Sequence, residues 1–215
     1  MRGVWLAGLS GTSVRVPLLL FFMKATILLG TLKKSGLSNT ETLCDFLARK
    51  IEERQVEVEI VKLVDQQILP GTYSDMGEGD AWPAILAKLL ASEILILATP
   101  VWWSSHSSLI QRVIERLDEQ HDRVLEGAGS PLDGKVGGVV ITGDSDGAQH
   151  IIGSICNFFN AVGVLIPPYA TLSVLWERQA KGEEPTREEL LTKYEEEYSL
   201  TADRMIDQLL SHVRR

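Results

Sequence analysis

A doubly wound α/β domain on a mainly parallel sheet is what this chain of 215 residues predicts, and three observations carry the expectation. Apolar runs and amphipathic stretches alternate from Lys24 onward. The apolar runs are continuous, as strands are when helices cover both of their faces. The loops leaving the first, third and fourth runs are the most polar, glycine-rich or aromatic of the chain, and sheets of this kind bind ligands outside the carboxyl ends of their strands.

The elements follow in order. Ala25 to Leu29 is the first strand, and Thr40 to Arg54 a helix with Leu43, Phe46, Leu47 and Ile51 at helical spacing. Val56 to Leu63 alternates Val and Ile with Glu and Lys, the pattern of a half-exposed edge strand. After a long loop, Val64 to Trp82, Pro83 starts a helix through Leu90, and Glu93 to Ala98 is a third, very apolar strand. A helix from Ser107 to Gln120 leads through EGAGSPLDG to a fourth strand, Val136 to Thr142, and then to a helix from Ala148 to Val162. Gly163 to Ile166 reads as a short fifth strand ended by Pro167 and Pro168, and Arg187 to Val213 as a long closing helix.

The hydrophobic fraction of 45% suits a single sizeable core, with no sign of a repeat array or disorder. A formal net charge of -8, without a basic stripe, argues against nucleic acid or an anionic membrane surface as partner. The acidic run GEEPTREELLTKYEEEY reads as a solvated helix face. Cys44 and Cys156 lie in helices among apolar neighbours, with neither C-x-x-C spacing nor a histidine cluster, so reduced thiols in a reducing, cytoplasmic compartment and no metal are expected. Residues 1–22 are apolar, but Arg15 and Pro17 interrupt them and no small-x-small site precedes Met23. Met23 is therefore read as the functional start. Residues 1–22 are read as an extension, poorly ordered or arising from an upstream start, and residues 23–215 as one domain.

Three loops carry the chemistry. GTLKKSGLSNT follows the first strand and opens a helix, where unpaired backbone N–H groups and the positive end of the macrodipole favour an anion. Thr31, Lys33, Ser38, Asn39 and Thr40 supply hydroxyls, an amide and positive charge there. The spacing is neither a P-loop nor a dinucleotide fingerprint, and a plain turn capped by Ser38 or Asn39 is the alternative. TPVWWSS follows the third strand and sets Pro100, Val101, Trp102 and Trp103 where a flat ligand could stack, gaining roughly 25 cal/mol per Å² of apolar area buried. One of the two tryptophans is expected to pack under the next helix or at a subunit contact instead. TGDSDGAQH follows the fourth strand, with Thr142, Gly143, Asp144 and Gly147 placed for close backbone approach and polar contacts. His106 and His150 flank these loops and are read as helix-start or surface residues, with no catalytic role.

On these residues the chain resembles the flavodoxin-like superfamily, in particular its NAD(P)H-dependent FMN reductase and quinone reductase branch, over about Met23 to Ile166. GTLKKSGLSNT is similar to the family's G-S-x-R-x-x-S-x-N-[ST] phosphate loop, with Thr31 in place of serine, Lys33 in place of arginine and a longer span before Ser38. TPVWW is similar to its [ST]-P-x-[YW] loop and TGDSDGAQH to its third, glycine-rich loop, with Asp144 and Asp146 in place of glycines. The resemblance implies a five-stranded parallel sheet of order 2-1-3-4-5 with helices on both faces, an FMN cofactor and NADPH or NADH as electron donor. Thr31, Lys33, Ser38, Asn39 and Thr40 would hold the phosphate. Pro100, Val101, Trp102 and Trp103 would lie against the ring, and Thr142, Gly143, Asp144 and Gly147 at its far edge.

The activity so implied is a cytoplasmic oxidoreductase passing electrons from a nicotinamide to a flavin, quinone or similar small acceptor, in a homodimer or homotetramer. The chief alternative is a flavodoxin-type electron carrier acting through a partner protein, which net acidity would suit. The Trp pair and the long loop after the second strand weigh towards a substrate pocket. Tyr169 and Trp176, in the stretch from Ile166 to Glu188 that a bare flavodoxin core does not explain, are placed near a pocket or a subunit neighbour.

Overall fold

The computed structural model describes residues 23–143, 146–176 and 185–214. Five strands, β1 (Lys24–Leu29), β2 (Glu57–Lys62), β3 (Ile94–Pro100), β4 (Val136–Gly143) and β5 (Thr171–Leu175), form one sheet in the order β2-β1-β3-β4-β5 with every pairing parallel. This is the doubly wound arrangement that the alternation of runs predicted, in the strand order that the flavodoxin-like resemblance implied. The strand order reverses beside β1, so the carboxyl ends of β1 and β3 diverge around a crevice.

Helices cover both faces. α1 (Asn39–Glu52) and the long α6 (Arg187–His212) bury Leu43, Phe46, Leu47, Tyr194, Met205 and Leu209 against one side of the sheet. α2 (Trp82–Leu90), α3 (Ser108–Arg116) and α5 (Ala148–Ala161) bury Trp82, Ile85, Ile110, Val113, Ile151 and Phe159 against the other. The central strands β3 and β4 are buried along almost their whole length, whereas the edge strand β2 is mostly half-exposed. α6 starts with a reciprocal cap: Thr186 Oγ1 accepts from the Glu189 backbone N–H, and the Glu189 carboxylate accepts from the Thr186 N–H.

Two expectations are corrected. The fifth strand is Thr171–Leu175, not Gly163 to Ile166. Leu165 makes a single bridge to Val136, then Pro167 and Pro168, which have no N–H to donate, carry the chain away from the sheet. It returns with Leu172 and Val174 facing inward, in register with Val140 and Thr142. The helix from Ser107 to Gln120 is two helices, α3 and α4 (Asp118–Leu125), meeting at Leu117. The break lies beside Arg116, which is fully buried and donates to the carbonyls of Leu69 and Tyr73 and to the carboxylate of Asp80. The long loop after β2 is thereby clasped to the helical layer. Burial by itself pushes the Asp80 carboxyl up, but the Arg116 guanidinium and the backbone N–H groups of Trp82, Met76 and Leu69 outweigh it and hold the pKa down to about 2.

Both cysteines are free thiols, Cys44 fully buried and Cys156 partly so, and burial pushes both upward in pKa. Among the described residues there is no cluster of His, Cys, Asp and Glu able to hold a metal ion, and no helix long and apolar enough to cross a membrane. The expectation about residues 1–22 lies outside the described residues.

Candidate functional site

A cavity of about 350 Å³ opens at the carboxyl ends of β1, β3 and β4, and residues from three loops far apart in sequence line it. From the first loop come Thr31, Lys33, Ser38, Asn39 and Thr40, from the second Pro100, Val101 and Trp102, and from the third Thr142 and Gly143. Ten of the thirteen residues singled out in the sequence are thus brought together.

The first loop is a pre-folded cradle. Ser38, in extended conformation, caps α1 by accepting from the Glu41 N–H, and its own hydroxyl donates 2.8 Å to Thr31 Oγ1. Thr31 Oγ1 also accepts from the Lys33 backbone N–H. The Lys33 ammonium folds back to donate 2.8 Å to the Leu37 carbonyl, so its charge stays at the mouth of the helix N-terminus. Glu41, in the first turn, is paired with Lys62 of β2 at 2.9 Å, which offsets its negative charge beside the cradle. Hydroxyls, one amide, one ammonium and the first turn of α1 form a donor set that fits a phosphate monoester. Behind it, the fully buried Tyr194 of α6 donates to the Asn39 carbonyl at 3.3 Å. The sequence reading missed this support, because nothing in the spacing of α6 marks one tyrosine as reaching α1.

The second loop is a tight hairpin turn. Trp102 and Ser105 exchange backbone hydrogen bonds at 2.8 and 2.9 Å, and the two residues between them, Trp103 and Ser104, both take positive φ, 47° and 61°. Left-handed backbone at a tryptophan is rare and is held here by its surroundings. Val101 N–H donates to the Thr142 carbonyl, and Thr99 Oγ1 accepts from the Ser107 N–H, pinning both ends of the turn. Trp102 lines the cavity and is 50% exposed, while Trp103 is 97% exposed and does not line it. Neither packs under the following helix.

The third loop closes the cavity through Thr142, whose hydroxyl meets that of Thr40 at 2.6 Å, and through Gly143 at φ 155°. A Cβ on Gly143 would come within 2.8 Å of the Val101 side chain. Gly147 is not in the lining. It sits at φ 103° behind the Trp turn, where a Cβ would lie 2.3 Å from Ser104 Cα, so its bareness serves loop packing instead of ligand contact. Asp144 lies outside the described residues, and Asp146 is exposed.

Leu32, 43% exposed, lines the cavity and was missed. The available signal was an apolar side chain in an otherwise polar loop. His106 precedes α3 and bonds Gln111 through Nε2, and His150 is exposed on the first turn of α5, as read from the sequence. The long loop after β2 contributes nothing to the cavity lining.

Comparison with known proteins points the same way. The chain is 34% identical over 153 residues to the divalent metal cation transporter MntH of Mycobacterium bovis, covering 69% of this chain and 22% of the transporter. It is 31% identical over 158 residues to 8-demethyl-8-aminoriboflavin-5'-phosphate synthase of Streptomyces davaonensis, covering 69% of this chain and 62% of the synthase. It therefore spans less than two thirds of either relative. Among solved structures, RosB with bound 8-demethyl-8-formylriboflavin-5'-phosphate superposes with a TM-score of 0.72 at 26% identity, over 89% of this chain and 79% of RosB. The apo form of the NADH:FMN oxidoreductase EMOB shares the fold, with a TM-score of 0.63 at 13% identity over 89% and 90% of the two chains. The description of one family, NADPH-dependent FMN reductase, matches residues 23–175, from the start of β1 to the end of β5, and the chain belongs to that flavin-dependent oxidoreductase family.

Proposed function

We propose that this protein is an FMN-dependent oxidoreductase that takes electrons from NADPH or NADH and passes them to a small acceptor such as a flavin or a quinone. The observation that carries the reading is the joint lining of one cavity by the hydroxyl-rich start of α1, the Trp102 turn and the Thr142–Gly143 strand end. A phosphate fits the first and a flat ring the other two. FMN held there would supply the two-electron chemistry. The chain's own residues do the rest. Thr31, Ser38, Thr40 and the α1 N-terminus would bind and orient the phosphate, and Lys33 would swing from the Leu37 carbonyl to neutralise it. Pro100, Val101 and Trp102 would cover apolar ring surface and keep water from it, and the Gly143 backbone would approach its edge. No side chain is required as a general base. A homodimer or homotetramer is proposed on family grounds, with Trp103 available to a second substrate or subunit.

The test is anaerobic. Purified protein is expected to be yellow and to release a flavin with the mass of FMN on denaturation. Mixing with NADPH or NADH should bleach the bound flavin fully and fast. Bleaching that needs an added partner protein would point instead to a carrier.

One specific similarity favours a second reading. The synthase from Streptomyces davaonensis, by its name, makes a modified riboflavin phosphate, and RosB holds such a compound. The same cavity in this chain would then take a flavin phosphate as substrate. A released flavin whose mass differs from that of FMN after incubation would select this reading.

A further inference from the structure

Away from the flavin cavity, a second hollow of about 220 Å³ opens between Tyr169 and Thr171, at the amino end of β5, and the outer face of α6. Leu200, Thr201 and Arg204 reach it from that helix, on one face by their three- and four-residue spacing. Several features separate it from ordinary surface. Tyr169 has φ +61°, a conformation bulky residues rarely adopt, and its side chain is left 62% exposed. The Arg204 guanidinium lies 4.9 Å from the centre of the Tyr169 ring, and among the described residues no carboxylate pairs with it. Leu200, a large apolar side chain, is 86% exposed beside them. Arg204, two threonines, a tyrosine and a leucine thus line a space below the usual size of a nucleotide or drug-sized pocket.

We propose that this hollow binds a small planar carboxylate. Arg204 would take the carboxylate through its planar fork of N–H groups, with Thr171 and Thr201 as further donors, and the apolar body would lie against Leu200 and Tyr169. Thr171 pairs with Val139 and Leu175 with Gly143, so the hollow sits four residues, about 13 Å, along the same edge strand from the flavin cavity. The two sites do not share a lining residue, so a ligand at one leaves the other open.

Isothermal titration of the full chain with benzoate, with and without added FMN, tests this. One benzoate per chain is expected, unaffected by FMN. Arg204→Gln should weaken binding by about tenfold or more, and neutral benzamide should bind the unaltered protein more weakly by a similar factor. Tyr169→Gly removes the aromatic wall at a position where glycine is the easier residue, so the variant should fold and still lose affinity. No benzoate binding, equal binding by Arg204→Gln, equal binding of benzamide, or competition with FMN would each overturn the proposal.

Discussion

The hydroxyls of Thr40 and Thr142, 102 positions apart, meet at 2.6 Å, and both residues are almost fully buried. This bond fastens the first turn of α1 to the end of β4, so the hydroxyl-rich start of α1 and the far edge of the cavity hold one spacing. Thr40→Val leaves the Thr142 hydroxyl without its partner, and the expected loss of stability in urea unfolding is about 1–3 kcal/mol. The double variant Thr40→Val with Thr142→Val should cost less than the sum of the two singles, because neither hydroxyl is then left alone.

Lys33 and Trp102 should separate flavin retention from flavin environment. Lys33 is exposed, and among the described residues its ammonium bonds the Leu37 carbonyl alone. Lys33→Ala should weaken FMN binding about five- to tenfold, with an effect that shrinks at high salt. Trp102→Ala should change the flavin absorbance spectrum and turnover while shifting the thermal midpoint little, since half of Trp102 is already in water. Equilibrium dialysis and a thermal scan read the two outcomes. Unchanged FMN affinity in both variants would remove these residues from the site.

Gly147 is expected to be intolerant of even one methyl group. Gly147→Ala places a Cβ against the Ser104 backbone at a φ of 103°, so the Trp turn must shift or the third loop must open. The expected result is a lowered thermal midpoint, with weaker flavin binding as a secondary effect measured by fluorescence titration.

The Arg116–Asp80 pair is fully buried, and loss of one partner strands the other. Asp80→Asn should destabilise the fold by about 3–5 kcal/mol. The sign with pH follows from the direction of the shift. Asp80 is held at about 2 in the folded protein against an ordinary 3.8, so its contribution is present above 3.8 and is lost as pH falls through 2. Acid unfolding followed by circular dichroism should lose that component in Asp80→Asn.

Much of the architecture was legible in residue order. Continuous apolar runs such as Ile94–Pro100 lie in the middle of the sheet because helices cover both of their faces, and the alternating Glu57–Lys62 falls at its edge because one face meets water. The loops worth attention could be named because polar, glycine-rich and aromatic residues stand just after buried strands, at the edge where sheets of this kind take ligands. β5 was misplaced because Leu165 and Ile166 are as apolar as Leu172 and Val174, and periodicity alone does not say which short stretch finds an open ladder beside β4.

Local pattern alone therefore determined the first four strands, the layering of helices around them and the three loop tips, since each depends on which neighbours along the chain are apolar. Tertiary structure decided how those tips meet: that Thr40 reaches Thr142, that Gly147 backs Ser104 while Trp103 stands in solvent, and that Tyr194 supports Asn39 from 155 positions away. Such contacts arise from the packing of whole elements against one another, and no spacing within a single element encodes them.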